Sequence, residues 1–170
     1  MTHTFSLGSP RAFLEKMKRE LRRMEMHCFD EEEVVDHAIN FCITAWHMCD
    51  WVWTERKRDY DLQLDLAKLI EVDPSKFGIE EFKLAMLRKC EALKYCRQIA
   101  TAAKHVGVEV YEDDRQIGTT ASGRNVYSTS GEMRILPILK IIDIETKARV
   151  HACPIFDAAL DHWVSLCDRQ

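Results

Sequence analysis

Apolar side chains recur at helical spacing through the first hundred residues of the chain, and the pattern changes after Gly107. The clearest stretch is Asp30–Thr54, DEEEVVDHAINFCITAWHMCDWVWT. At 100° per residue, Val34, Ala38, Phe41, Cys42, Ala45, Trp46, Met48, Cys49, Val52 and Trp53 fall on one arc of roughly 160°. Asp36, Asn40, Thr44, His47, Asp50 and Thr54 fall on the other. The spacing predicts one long helix that walls the core, with Asp30 as its cap and Glu31, Glu32 and Glu33 at its positive end.

Other elements follow from the same reading. Ser9-Pro10 is a helix start, and Phe13, Met17, Leu21, Met24 and Cys28 extend an amphipathic helix to about Cys28. Leu62–Ile70 reads as helical, and Asp73-Pro74 breaks the chain. Ile79–His105 is a long helical region after Gly78, with a bend at Cys90–Glu91 and Val106-Gly107 as its stop. Its later apolar positions, Ala92, Cys96, Ile99, Ala100 and Ala103, are mostly small, which lets the Asp30–Thr54 helix approach closely.

Beyond Gly107, Val108–Tyr111 alternates like a short strand. Arg115–Glu132 is rich in Gly, Ser, Thr and Asn and reads as a loop. Arg134–Asp143 and Ala148–Ala152 read as strands joined by a polar turn, with Pro137 implying an edge position for the first. Pro154 opens a last helix with Ile155, Phe156, Ala159, Leu160, Trp163, Val164 and Cys167 on its apolar side. The expected fold is mainly α: a bundle of five or six helices with a small antiparallel β-sheet inserted before the C-terminal helix. A single domain is expected over 1–170, with a helical core at 9–105, a β insertion at 106–152 containing a loop at 115–132, and a final helix at 154–168.

Composition narrows the function classes. Apolar residues make up 46% of the 170 and charged residues 31%, which is globular rather than disordered. The formal net charge of −4 supplies no bulk basic field, so any nucleic-acid binding must use a local patch. Seven cysteines without a C-x-x-C pair, and an N-terminus without a long apolar run, point to reduced, buried thiols and a cytoplasmic protein. No stretch reaches the ~20 apolar residues of a membrane span, so no membrane is expected.

Two polar stripes carry candidate chemistry. On the first, His47 and Asp50 lie one helical turn apart, so the carboxylate can orient the imidazole or join it at a metal. His37 lies roughly 15 Å away along the axis and does not join them. The alternative is a solvated or partner-facing stripe. On the second, Arg97, Thr101 and Lys104 share a face with His105 at its edge, an outfit for holding phosphate and moving a proton. The alternative is that Lys104 and His105 simply complement a helix C-terminus. Trp51 falls on the polar stripe between His47 and Thr44 in angle, where an indole stacks on a base or fills an interface. No phosphate-binding loop or nucleophile elbow occurs.

A helical bundle with Arg97 and His105 on one late helix resembles the HEPN superfamily, whose ribonuclease members use an Arg-x(4–6)-His motif. Here seven residues separate the pair, and Gln98 stands where the family usually has Asn, Asp or His. The resemblance covers about residues 9–105 and the final helix. It implies metal-independent RNA cleavage, a homodimer in which two motifs face each other, and a toxin or phage-defence setting. Other members lack the motif and are non-catalytic. The Ala45-Trp46-His47-x-x-Asp50-Trp51 segment with Lys104-His105 is also similar to segments of bacterial proteins, and implies no activity.

Three functions stand as expectations. The first is RNA binding or metal-independent cleavage, with catalytic His105, Arg97, His47 and Asp50, and with Lys104, Thr101, Asn40 and Trp51 binding substrate. It needs neither metal nor cofactor. The second is a non-catalytic, homodimeric module that binds a protein partner. The third is a metal-binding bundle through His47, Asp50 and His105.

Overall fold

Local signals set most of the helix ends. Ser9 Oγ accepts the Ala12 amide at 3.2 Å, and Pro10 opens α1 (Pro10–Met26). Asp30 Oδ1 accepts the Glu33 amide at 3.2 Å and starts α2 (Glu31–Arg56). These details come from a computed structural model that describes residues 7–26, 29–57, 60–71, 73, 77–104, 116–127 and 133–168. The next elements are α3 (Tyr60–Leu69), α4 (Ile79–Lys89) and α5 (Glu91–Ala102). A sheet of β1 (Ile117–Tyr127), β2 (Met133–Asp143) and β3 (Arg149–His151) precedes α6 (Ala152–Cys167). The protein is thus mainly helical, with a three-stranded antiparallel sheet before the C-terminal helix. No helix among the described residues is long and apolar enough to cross a membrane.

The break between α4 and α5 falls on Cys90, at the expected bend. Cys90 is extended (φ −138°, ψ 102°), so its amide closes α4 while its carbonyl accepts the Leu93 amide. The chain turns without a proline or glycine. The last helix starts at Ala152, two residues before Pro154, which occupies the first turn where its missing N–H costs nothing.

α2 is the hub. It packs against α1, α4, α5 and α6, and Phe41, Cys42, Ala45, Met48 and Cys49 have no exposed surface. α5 lies directly on it, as its small side chains suggest. Aromatic contacts tie α6 and α4 to the hub: Phe41 meets Phe156 at 5.0 Å, and Trp53 meets Phe82 at 6.2 Å. Of the described cysteines, Cys42, Cys49, Cys90 and Cys96 are buried, while Cys153 is exposed and Cys167 half-buried.

The β region departs from expectation. Most of the Arg115–Glu132 stretch expected as a loop is strand β1, paired with β2 from Ile117↔Asp143 to Tyr127↔Met133. It lacks an apolar alternation because its partner supplies the bulk: Ile135 leans over Gly123, where a Cβ would sit 2.5 Å from Ile135 Cγ2. Gly123→Val is expected to destabilise the hairpin by about 1 kcal/mol, the low end for overpacking because Ile135 is half-exposed. Urea denaturation should show this loss, and a second change, Ile135→Ala, should restore it.

Pro137 is also placed differently from expectation, since β2 is the central strand. The Asp143 amide donates to Ala148 O on the β3 side, so residues in phase with it point their amide nitrogens the same way. β3 pairs only with Lys140–Ile142, and at Pro137 that side faces no strand. The proline therefore sits where β2 is locally an edge. The Val108–Tyr111 strand and the Val106-Gly107 stop lie outside the described residues.

Candidate functional site

The two polar stripes touch at one point. α2 carries His47 and the turn after α5 carries Lys104, and Lys104 Nζ stands 3.1 Å from His47 Nε2. An ammonium has only donors, so Nε2 accepts and the ring proton resides on Nδ1. Burial and the nearby Lys104 charge lower the His47 pKa, with Asp50 opposing and Lys83 adding to the drop. Neutral imidazole is the form this environment favours.

Asp50, one turn along, is paired with Lys83 of α4 at 3.0 Å, and Lys83 also reaches Glu80 at 3.8 Å. Burial penalises the Lys83 charge, yet the Asp50 bond and the acidic neighbours outweigh it and raise its pKa. Asp50 is thus shared between a lysine and the field at His47. Sequence reading missed Lys83, because nothing in the local pattern of α4 ties it to a helix thirty residues earlier.

The remaining site residues scatter. Asn40 is exposed on α2, and its carbonyl accepts the Thr44 hydroxyl at 2.7 Å. The Thr101 hydroxyl donates to the Arg97 carbonyl at 2.8 Å, leaving its side chain half-buried on α5. The Arg97 side chain is only 5% exposed and is engaged within the fold, so it does not join the exposed Lys104. Trp51 packs against Phe13 of α1 in a tilted pair with ring centroids 4.5 Å apart, which commits that indole to an intramolecular contact. His105 lies outside the described residues, directly after Lys104 in the chain.

A cavity of about 360 Å³ adjoins the Lys104 end of α5, lined by Ile39, Gln98, Ile99, Ala102, Ala103 and Gly118. Gln98 Oε1 accepts the Ile117 amide at 3.2 Å, which pins the start of β1 to α5 and forms one side of this cavity. A separate cavity of about 180 Å³ lies between α1 and the C-terminal ends of α2 and α6 and touches none of the candidate residues. Among the described residues no three His, Cys, Asp or Glu side chains converge as a metal site.

A second polar cluster joins α1 to α2. Glu20 interrupts the buried stripe Met17–Met24 of α1 at core spacing. It is 4% exposed and accepts from His37 Nδ1 at 2.8 Å, with Lys16 and Arg23 at 3.4 and 3.5 Å. Lys16 also donates to the buried Thr44 hydroxyl at 2.6 Å. These bonds lock α1 to α2 along the Phe13–Trp51 line.

His162 has a lowered pKa too, through burial first and then Lys89, and faces Met86 Sδ at 3.5 Å. For both His47 and His162 the folded value lies below the ordinary 6.5. The unfolded chain therefore binds more protons as pH falls, and stability rises with pH across that window. Their contribution is complete above about 6.5 and is lost as pH falls through the lowered folded values. The urea midpoint is expected to fall between pH 7.5 and pH 5.5, and a His47→Gln, His162→Gln double variant should show a flatter dependence. Equal pH dependence in the two proteins would contradict this.

No family model matches the chain, and neither the curated proteins nor the solved structures contain a match to it.

Proposed function

We propose that the groove between α2 and the end of α5 binds RNA and cleaves it without a metal ion, as the HEPN-like reading of Arg97 and His105 implies. The single observation that supports this is the 3.1 Å contact between Lys104 Nζ and His47 Nε2, which joins a cation in the turn after α5 to an imidazole on α2. A phosphate entering the groove competes for Lys104. As the ammonium turns to the phosphate, the Nε2 lone pair is released. His47 then takes the proton of a ribose 2′-hydroxyl, and the 2′-oxygen attacks phosphorus. Lys104 stabilises the added charge on the phosphoryl oxygens. The bond from phosphorus to the 5′-oxygen breaks, and His105 supplies the leaving group's proton. The products are a 2′,3′-cyclic phosphate and a 5′-hydroxyl.

In this reading Asp50, held by Lys83, tunes His47 through its charge. Arg97 is buried, and its backbone carbonyl, not its guanidinium, accepts the Thr101 hydroxyl in the last turn of α5. Asn40 and Trp51 flank the site without contacting the reacting atoms. The test is cleavage of a short RNA in EDTA by wild type and by Lys104→Ala, with circular dichroism confirming the fold of both.

One observation favours a second reading, the homodimeric interaction module. Met133 and Ile135, on the distal half of β2, are 55% and 53% exposed, although the same face of that strand is buried at Ile141. Large aliphatic side chains left uncovered in this way suit contact with another protein surface.

A further inference from the structure

The sheet has two chemically different faces, and register assigns each residue to one. Directly opposed residues in neighbouring strands share a face. Lys140 is opposite Thr120 and His151, Ile142 is opposite Gly118 and Arg149, and Leu136 is opposite Arg124. Arg124, Lys140, Arg149 and His151 therefore lie on one face. The other face holds Ile141, buried in the core, with Leu139 and Ile117 packed against that core, and it holds Asp143. The cationic face is thus the outer one, and the acidic residue of the strands is on the side away from it. Arg124, Arg149 and His151 are exposed and Lys140 half-exposed. No ion pair among the described residues engages Arg124, Lys140 or Arg149.

This local charge runs against the bulk. The chain is net −4, yet the three strands hold Arg124, Arg134, Lys140 and Arg149 against Asp143. From the Arg149 position to the Arg124 position the array spans six residues of β2, about 20 Å at strand rise. It starts at the end of the sheet that Gln98 pins to α5, close to the Lys104 turn.

We infer that this outer face is a track for the phosphate backbone of an RNA strand, using Arg149, Lys140 and Arg124 in turn. It rests on the RNA reading above and extends it from a groove to an extended footprint. An elongated row of unpaired cations matches a linear polyanion. An anionic membrane fits less well. A lipid-docking surface places fully exposed aliphatic groups beside its cations. Here Leu136, Ile138 and Ile142 share the cationic face but are half-buried, and the most exposed aliphatic strand residues, Met133, Ile135 and Val150, are in register with the opposite face. The track has no aromatic platform, so its contacts are with phosphates and independent of sequence.

The test is fluorescence anisotropy with a labelled 20-nucleotide single-stranded RNA over a range of salt concentrations. The proteins are wild type and the triple variant Arg124→Gln, Lys140→Gln, Arg149→Gln. Three lost phosphate contacts should lower the slope of log K against log salt by about 2 and weaken binding at least tenfold at low salt. Cleavage of a dinucleotide, which occupies only the groove, should be unchanged. Equal affinity and slope in the two proteins would overturn the track and leave the groove reading standing if the dinucleotide is still cut. Binding that falls in the triple variant, with no cleavage by either protein, would support the track and sink the catalytic reading. Absence of RNA binding by wild type would overturn the track, as would binding to phosphatidylserine vesicles in its place. An Arg124→Lys, Arg149→Lys variant should retain the slope, which separates charge from folding.

Discussion

Trp163→Ala is expected to destabilise the protein by about 3–5 kcal/mol, the range for deleting a large aromatic from a packed core. Trp163 has no exposed surface and is the largest of the fully buried side chains. It fills the space between α6 and the hub helix, and its indole Nε1 donates to the Ala45 carbonyl at 2.9 Å. That carbonyl lies mid-helix and also serves the α2 ladder, so the indole bond adds a second partner to an already satisfied oxygen. Trp163→Phe should therefore cost much less, about 1 kcal/mol for the lost bond plus a small packing loss. Chemical denaturation of the two variants separates volume from hydrogen bonding. A loss below 1 kcal/mol for Trp163→Ala would mean that α6 is not anchored on α2 in this way.

The second large effect concerns the groove. If His47 and Lys104 act as proposed, Lys104→Ala should slow RNA cleavage by about 10²–10³-fold, as for removal of one group that stabilises developing charge. His47→Gln keeps a hydrogen-bonding side chain but cannot take a proton, and should cost about 10²–10⁴-fold. Neither residue is part of the buried core, so both variants should unfold within a few degrees of wild type at pH 7.5. Lys83→Ala tests the supporting pair. It frees the Asp50 carboxylate, whose charge then acts more strongly on His47, so the pKa of His47 should rise. The acid limb of the pH–rate profile should move to higher pH.

The helical half of this fold was written locally. Asp30, Ser9-Pro10 and Gly78 each mark a helix start through groups within four residues, and the buried arc of α2 follows from a 100° step. The sheet was less legible because pairing is a long-range property. β1 alone, IGTTASGRNVY, has no apolar face; its fit depends on Ile135, twelve residues beyond Gly123. Pro137 suggested an edge strand and was right only on one side of β2, because β3 is too short to reach it. At the site, spacing brought out His47, Asp50 and Lys104 but could not say that α5 lies with its end against His47. It also grouped Arg97 with Lys104, although the α5 backbone turns the guanidinium into the packed interior. Glu20 is an acid at a core position of α1, a break in the apolar pattern that calls for a buried partner, but only the packing of α1 on α2 identifies that partner as His37.

The most direct measurement is to incubate purified protein with a 5′-labelled RNA in EDTA and identify the ends of the products. The expected result is cleavage to 2′,3′-cyclic phosphate and 5′-hydroxyl ends, lost in both His47→Gln and His105→Ala. Intact RNA after incubation with folded wild-type protein would contradict the account, and so would cleavage that survives in His47→Gln.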